Sequence, residues 1–189
     1  MGATVAMKSH LWLNWARIAI RQERRAWDAR KAGQTTTQFI HELGLETEEA
    51  IQAIAASRHC IHNLYRVWSH DIGKAEKNIE PRDFSTALPA DQTSWRTRIR
   101  NLIGDRDEAV HHDEEYGPPQ PHPGYPGHVS RINSVFTAER ATEVVDVMMD
   151  DVLRLALTAP PVALAQWSAA NRHVMALLDS QRATGDYRW

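Results

Sequence analysis

The feature that most constrains the fold is a series of residues spaced alternately three and four positions apart. It consists of Ile51, Ile54, Arg58, Ile61, Tyr65, Trp68 and Ile72. Residues at this spacing share one side of an α-helix, whereas a strand alternates every second residue. The spacing predicts a helix of about 25 residues. The pattern extends backward through Phe39, Ile40 and Leu43, where Gly44 indicates a break or kink.

A first amphipathic helix is predicted over residues 8 to 31, with Gly33 as its C-cap. Its apolar stripe consists of Leu11, Trp12, Trp15, Ile18 and Ala19. Basic side chains occupy other positions of the same helix, namely Arg17, Arg21, Arg24 and Arg25. These basic residues are interpreted as the solvated side of the helix, and the alternative is a patch that contacts phosphate.

A third helix is predicted after a connector over residues 73 to 90, which contains Pro81 and Pro89. Asp91 or Thr93 is the candidate N-cap, and the helix must end near His112. Its stripe consists of Trp95, Ile99, Leu102, Ile103, Ala109 and Val110. Five prolines follow between residues 117 and 127, a composition that excludes both a helix and a central strand.

The last part of the chain predicts two more helices. One begins at Thr137 and ends at Pro160-Pro161, and the other covers residues 162 to 178. A short segment, residues 129 to 136, is a weak candidate strand. Four or five helices without strand alternation or repeats predict an all-α bundle with a Pro/Gly-rich loop after the third core helix. The chain is expected to form a single domain over 1–189, with its core at about 8–158 and a C-terminal helix at about 162–178.

Charge and cysteine content limit the classes of partner. The net charge of -2 excludes binding of nucleic acid through bulk electrostatics, so any RNA contact must be local. Cys60 is the single cysteine, which excludes an internal disulfide, and a small buried residue is expected there. Neither a signal-peptide pattern nor an apolar run approaching 18 residues occurs, which predicts a cytoplasmic protein with no membrane partner.

The position most suited to chemistry is Arg106, which lies on the apolar stripe of the third helix, four residues after Leu102. A guanidinium there must be paired with a carboxylate, held by carbonyls, or kept for an anionic ligand. Asp107, His111 and His112 follow within two turns. One interpretation is a structural ion pair with a helix C-terminal histidine. The other is a functional site.

The run Arg106-Asp107-Glu108-Ala109-Val110-His111 resembles the signature of the HEPN superfamily. That signature is an Arg directly followed by a polar residue, with a His near the end of a core helix that is separated from the Arg by four to six positions. A group of bacterial HEPN-like proteins carries a similar Arg-Asp-x-Ala-Val-His segment between a long helix and a Pro/Gly-rich loop. The resemblance implies an α-helical bundle that commonly dimerises. Many such proteins are metal-independent ribonucleases, often toxins or defence effectors, and others are non-catalytic binding or scaffold modules.

The resemblance also implies residue roles. Arg106 would bind the scissile phosphate, His111 would act as acid and base, and Asp107 would orient one or both. One histidine per chain is too few for a separate acid and base, so a homodimer would supply the second. His112 is the alternative imidazole. The expected partners are a second copy, an RNA substrate, and an antitoxin or regulatory protein, with no cofactor.

Two other histidines leave an alternative open. His62 lies where the related group often carries an acidic residue, so it is either an accessory site residue or a structural polar contact. His59 and His62, three residues apart, are able to join His111 in a three-histidine metal site of a helical bundle. The sequence therefore predicts an endoribonuclease, with a non-catalytic scaffold and a metal-binding bundle as alternatives.

Overall fold

The computed structural model describes residues 11–37, 39–71, 118–158 and 165–186, together with positions 97, 101 and 104. These residues are mostly helical, which confirms the all-α prediction. The elements are α1 (Leu11–Thr35), α2 (Phe39–Asp71), β1 (Gln120–Pro121), β2 (His128–Val129), α3 (Arg131–Val135), α4 (Ala138–Asp146), a π-helical segment (Val147–Arg154), α5 (Leu155–Thr158), α6 (Ala165–Asn171) and α7 (His173–Thr184).

Helices α1 and α2 form an antiparallel pair that is the largest helix contact of the described structure. Small buried residues line their interface, namely Ala16, Ala19, Ala26, Ala50, Ala53 and Ala56. Small side chains at a contact let two helix axes approach closely. Polar pairs bridge the edge of the interface, where Gln22 donates to Gln52 and Arg25 lies 3.5 Å from Glu49.

The predicted C-cap at Gly33 and the predicted break at Gly44 were both wrong, whereas a kink at Gly44 stays a prediction. Gly33 lies inside α1, which continues to Thr35, and Gly44 lies inside α2 without ending it. Gly33 is buried, and a β-carbon at this position would overlap the Tyr125 side chain. The glycine thus provides room for an aromatic side chain from a distant loop, and such a tertiary contact leaves no local signal.

Helix α4 begins where the sequence predicted. The Thr137 side chain accepts a hydrogen bond from the backbone N–H of Arg140, which caps the first turn. The helix continues through the π-helical segment into α5, and its buried face packs against α1 and α2. That face consists of Ala141, Val144, Val145, Met148, Met149, Val152 and Leu153.

The C-terminal region contains two helices where one was predicted. Helices α6 and α7 meet around Arg172, and α7 extends beyond the predicted end to Thr184. Gly185, at φ 72°, provides a left-handed C-cap. Trp167 of α6 packs edge-on against Trp12 of α1, with ring centroids 5.5 Å apart. The C-terminal helices are therefore part of the bundle core.

The Pro/Gly-rich loop contains a minimal antiparallel pair in which Gln120 is opposite Val129 and Pro121 is opposite His128. The predicted strand over residues 129 to 136 is correct only at Val129. Residues beyond it form α3, because the Ser130 side chain accepts from the N–H of Asn133 and caps a helix.

The described part of the third predicted helix consists of Thr97, Asn101 and Gly104, which are helical and exposed. Their spacing places them opposite the predicted apolar stripe. Among the described residues, no helix combines the length and apolarity needed to cross a membrane.

Candidate functional site

The predicted catalytic residues Arg106, Asp107 and His111, and the alternative His112, lie outside the described residues. Their mutual geometry and roles stay predictions. His62, the predicted accessory residue, is described on α2, and its environment is the first part of the candidate site.

His62 lies in a cationic row on α2. Arg58 precedes it by four residues and Arg66 follows it by four, so the three side chains are neighbours along one helix face. All three are half-buried. Burial is the largest cause that lowers the pKa of His62 below its ordinary value of 6.5, and the charges of Arg66 and Arg58 lower it further.

This arrangement keeps the His62 imidazole neutral at neutral pH, when it is able to accept a proton. The charges of Arg58 and Arg66 raise the positive potential at that imidazole. This environment is compatible with either predicted role of His62, as an accessory site residue or as a structural polar contact.

The neighbouring His59 has a different environment. Its ring stacks against Trp15 of α1, with centroids 4.7 Å apart, and Asn63 donates to its backbone carbonyl at 2.8 Å. Within the described ranges, no cluster of three His, Cys, Asp or Glu side chains is arranged to hold a metal. The proposed third ligand, His111, lies outside those ranges, so the metal-bundle alternative stays untested.

A second polar cluster, centred on Arg30 of α1, lies in the protein interior. Arg30 is 3% exposed, and its guanidinium makes two hydrogen bonds to each of two carboxylates. Its Nε donates to Glu46 at 2.8 Å, and its Nη1 donates to Glu139 at 2.7 Å. Glu46 is fully buried and also accepts the N–H of Ala138 at 2.7 Å, at the first turn of α4. One guanidinium thus joins α1, α2 and α4.

The Pro/Gly-rich loop adds two aromatic side chains to this cluster. His122 is buried, and its Nε2 lies 3.7 Å from the nearer oxygen of Glu46. Its Nδ1 accepts the N–H of Gly124 at 3.0 Å, which places the proton of the neutral ring on Nε2, toward the carboxylate. The Tyr125 ring lies 5.8 Å from the Arg30 guanidinium carbon, within cation–π range.

The charges of this cluster fix its protonation states. Burial opposes the charge on Arg30, but the hydrogen bonds from Glu46 and Glu139 raise its pKa above the ordinary value. Burial lowers the pKa of His122 and, with the negative charge of Glu46, raises the pKa of Tyr125 to about 12. The loop side chains are therefore neutral at pH 7, and the Arg30 charge is balanced by carboxylates.

Two glycines provide the space that the cluster needs. A β-carbon on Gly33 would overlap the Tyr125 hydroxyl, and a β-carbon on Gly124 would overlap the Arg30 guanidinium. Because Arg30 already makes four hydrogen bonds to carboxylates, it is not available to a ligand. We interpret the cluster as the anchor that holds the loop on the bundle, and refer to Arg30, Glu46, Glu139, His122 and Tyr125 as the loop anchor.

A third group of charged residues connects α1, α4 and α7. Arg182 of α7 contacts Glu23 of α1 at 2.6 Å and Asp146 of α4 at 2.7 Å. Between α1 and α7 lies a cleft of about 500 Å³, lined in part by Arg24, Trp27 and Arg182.

Sequence reasoning missed the loop anchor, although a signal was present. Arg30 follows Ala26 by four residues, and Glu46 lies three after Leu43 and four before Ala50, so each charge interrupts an apolar stripe. The same argument drew attention to Arg106. His122 carries no such signal, because it lies in the Pro/Gly-rich loop outside any apolar stripe, and the structure buries it.

No family model, curated protein or solved structure matches the chain significantly.

Proposed function

We propose that the protein is a metal-independent endoribonuclease of the HEPN type that acts as a homodimer. The observation that carries the proposal is the run from Arg106 to His111, in which an arginine on an apolar stripe precedes a histidine by five residues. The all-α architecture is compatible with it. The cationic row of Arg58, His62 and Arg66 is also compatible with it, because the two arginine charges raise the positive potential at the imidazole.

In the proposed reaction the 2′-oxygen of a ribose attacks the adjacent phosphorus. One His111 imidazole accepts the 2′-hydroxyl proton. The bond from phosphorus to the 5′-oxygen breaks, and the imidazolium of the second chain's His111 donates a proton to that leaving oxygen. Arg106 stabilises the charge that develops on the phosphorane oxygens. The products are a 2′,3′-cyclic phosphate and a 5′-hydroxyl, so no metal or external nucleophile is required.

The test incubates purified protein with mixed single-stranded RNA in EDTA. Arg106→Ala and His111→Ala are each expected to lower the cleavage rate by about 100-fold or more, the range for losing a phosphate ligand or a proton-transfer group. His128→Ala is a matched control, because His128 is an exposed histidine on β2. Circular dichroism establishes that each variant is folded.

Substrate chemistry provides an independent control. RNA with 2′-O-methyl groups must resist cleavage, because the attacking oxygen is blocked. Equal cleavage by wild type, Arg106→Ala and His111→Ala would refute the assignment of these residues. Absence of cleavage by wild type across the RNA pool would refute the nuclease proposal and leave a binding role for the same fold.

A further inference from the structure

We infer that one face of α1 is a binding track for the phosphodiester backbone of RNA, an inference that rests on the proposed function. The track consists of Arg17, Arg21, Arg24 and Lys31, which we call the basic row. Their spacings of four, three and seven residues place them on one side of the helix. From first to last the row covers about 21 Å of helix axis. Such a line of charge matches an extended polyanion better than a single small anion.

The basic row is accessible. Arg21 and Lys31 are exposed, and Arg17 and Arg24 are half-buried. Repulsion from Arg21, after the larger effect of burial, lowers the pKa of Arg17. Two guanidinium groups held this close favour an added anion, because the anion relieves their mutual repulsion.

Two members of the row are oriented by neutral groups of α7. Arg17 donates through Nε to the Gln181 side-chain oxygen at 3.3 Å, and Arg24 donates through Nη2 to the Ala183 carbonyl at 3.3 Å. For Arg24, the neutral carbonyl oxygens position the guanidinium without cancelling its charge. In contrast, Arg182 next to the row pairs with two carboxylates, Glu23 and Asp146, so these three side chains together carry a formal charge of -1 and add no positive potential.

Two clefts give the row a shape that fits a nucleic-acid strand. One, of about 390 Å³, is lined by Asn14, Arg17, Ile18 and Arg21. The other, of about 500 Å³ between α1 and α7, contains Arg24, Lys31 and the half-buried indole of Trp27. An aromatic ring beside basic side chains is the combination that binds single-stranded nucleic acid, since unpaired bases stack on it while phosphates pair with the cations.

The charges along the basic row predict which substitutions strengthen RNA binding and which weaken it. Asp28 lies in the row between Arg24 and Lys31, so the row itself carries four positive charges and one negative charge. Two neighbouring carboxylates have other arginines as partners, since Glu23 in the cleft pairs with Arg182 and Glu49 pairs with Arg25. The protein as a whole carries a net charge of -2, which makes the track a local feature of one face. Neutralising Asp28 must therefore strengthen RNA binding, whereas neutralising a row cation must weaken it.

The experiment measures binding of a fluorescein-labelled, 20-nucleotide, 2′-O-methyl single-stranded RNA by anisotropy between 50 and 200 mM NaCl. Each phosphate contact contributes about -0.7 to the slope of log affinity against log salt concentration. Arg21→Gln and Lys31→Gln are each expected to weaken binding severalfold and to make the slope shallower by about 0.7. Asp28→Asn tightens binding. Arg131→Gln is the matched control, because Arg131 is exposed on α3, which packs against α2 and β1.

The outcomes separate this inference from the proposed function. The track would be overturned if the slope of log affinity against log salt concentration were the same for wild type, Arg21→Gln, Lys31→Gln and Arg131→Gln. This holds even if wild type cleaves unmodified RNA. Absence of wild-type binding at 50 mM NaCl would also overturn it. Reduced binding by the two row variants, with wild type unable to cleave, would support the track and refute the nuclease.

Discussion

Replacement of Glu46 by Gln tests whether the loop anchor stabilises the bundle. Glu46 is fully buried and binds Arg30 through both oxygens, whereas the Glu139 side chain is 46% exposed. Breaking a buried ion pair costs about 3–5 kcal/mol of unfolding free energy, and an exposed pair contributes about 1 kcal/mol or less. We expect Glu46→Gln to cost about 3 kcal/mol, since the amide oxygen still accepts the Ala138 N–H. Glu139→Gln is expected to cost about 1 kcal/mol or less.

The assay for this prediction is urea denaturation followed by far-ultraviolet circular dichroism. A loss of about 3 kcal/mol corresponds to a fall of about 6–12 °C in melting temperature for a chain of this size. The double variant Arg30→Met/Glu46→Leu removes both buried charges and must be more stable than Glu46→Gln. Equal losses for Glu46→Gln and Glu139→Gln, or a loss below about 1 kcal/mol for Glu46→Gln, would contradict a buried pair.

Two further predictions concern the same loop. Gly33→Ala should destabilise the protein by about 1–3 kcal/mol, because the added β-carbon overlaps Tyr125. Gly44→Ala is the contrasting substitution, since no atom lies within 4 Å of the added β-carbon, and it should stabilise the helix by about 0.5–1 kcal/mol. Urea denaturation measures both. Burial lowers the pKa of His122 in the folded protein below its ordinary value of 6.5. As the pH falls below about 6.5, the unfolded chain therefore binds a proton at this histidine before the folded protein does, and the free energy of unfolding decreases. His122→Asn keeps an acceptor for the Gly124 N–H and should remove part of this dependence between about pH 7.5 and 5, and parallel pH profiles for the two proteins would contradict the assignment.

Helix positions were predictable from the sequence where apolar periodicity was long. The stripe containing Ile51, Ile54 and Ile61 specified α2, and Thr137 specified the start of α4, because periodicity and capping are local properties. The ends of helices were less predictable. Glycine is a common helix-ending residue, yet Gly33 and Gly44 both lie inside helices. At Gly33 the Tyr125 side chain occupies the space that a β-carbon would need.

The loop anchor was beyond local prediction for a different reason. Its carboxylates Glu46 and Glu139 are separated by 93 residues and meet only at Arg30. A charged residue on an apolar stripe indicates that a partner is required, but it does not identify the partner. This limit applies equally to Arg106, whose stripe position is visible in the sequence while its partner is not.

Two pairs of described arginines have different consequences. Arg30 and Arg182 each bind two carboxylates across helices, so their positive charges are balanced within the protein. Arg21 and Arg24 lie on one accessible face, where α7 supplies Arg24 with neutral carbonyl oxygens. Loss of Arg30, which lies away from the basic row, must lower stability and leave RNA affinity per folded molecule unchanged, whereas loss of Arg21 must lower affinity with stability intact. Burial of the paired Glu46 and Glu23 removes two carboxylates from the surface, which favours the proposed positive face on α1 in a protein of net charge -2.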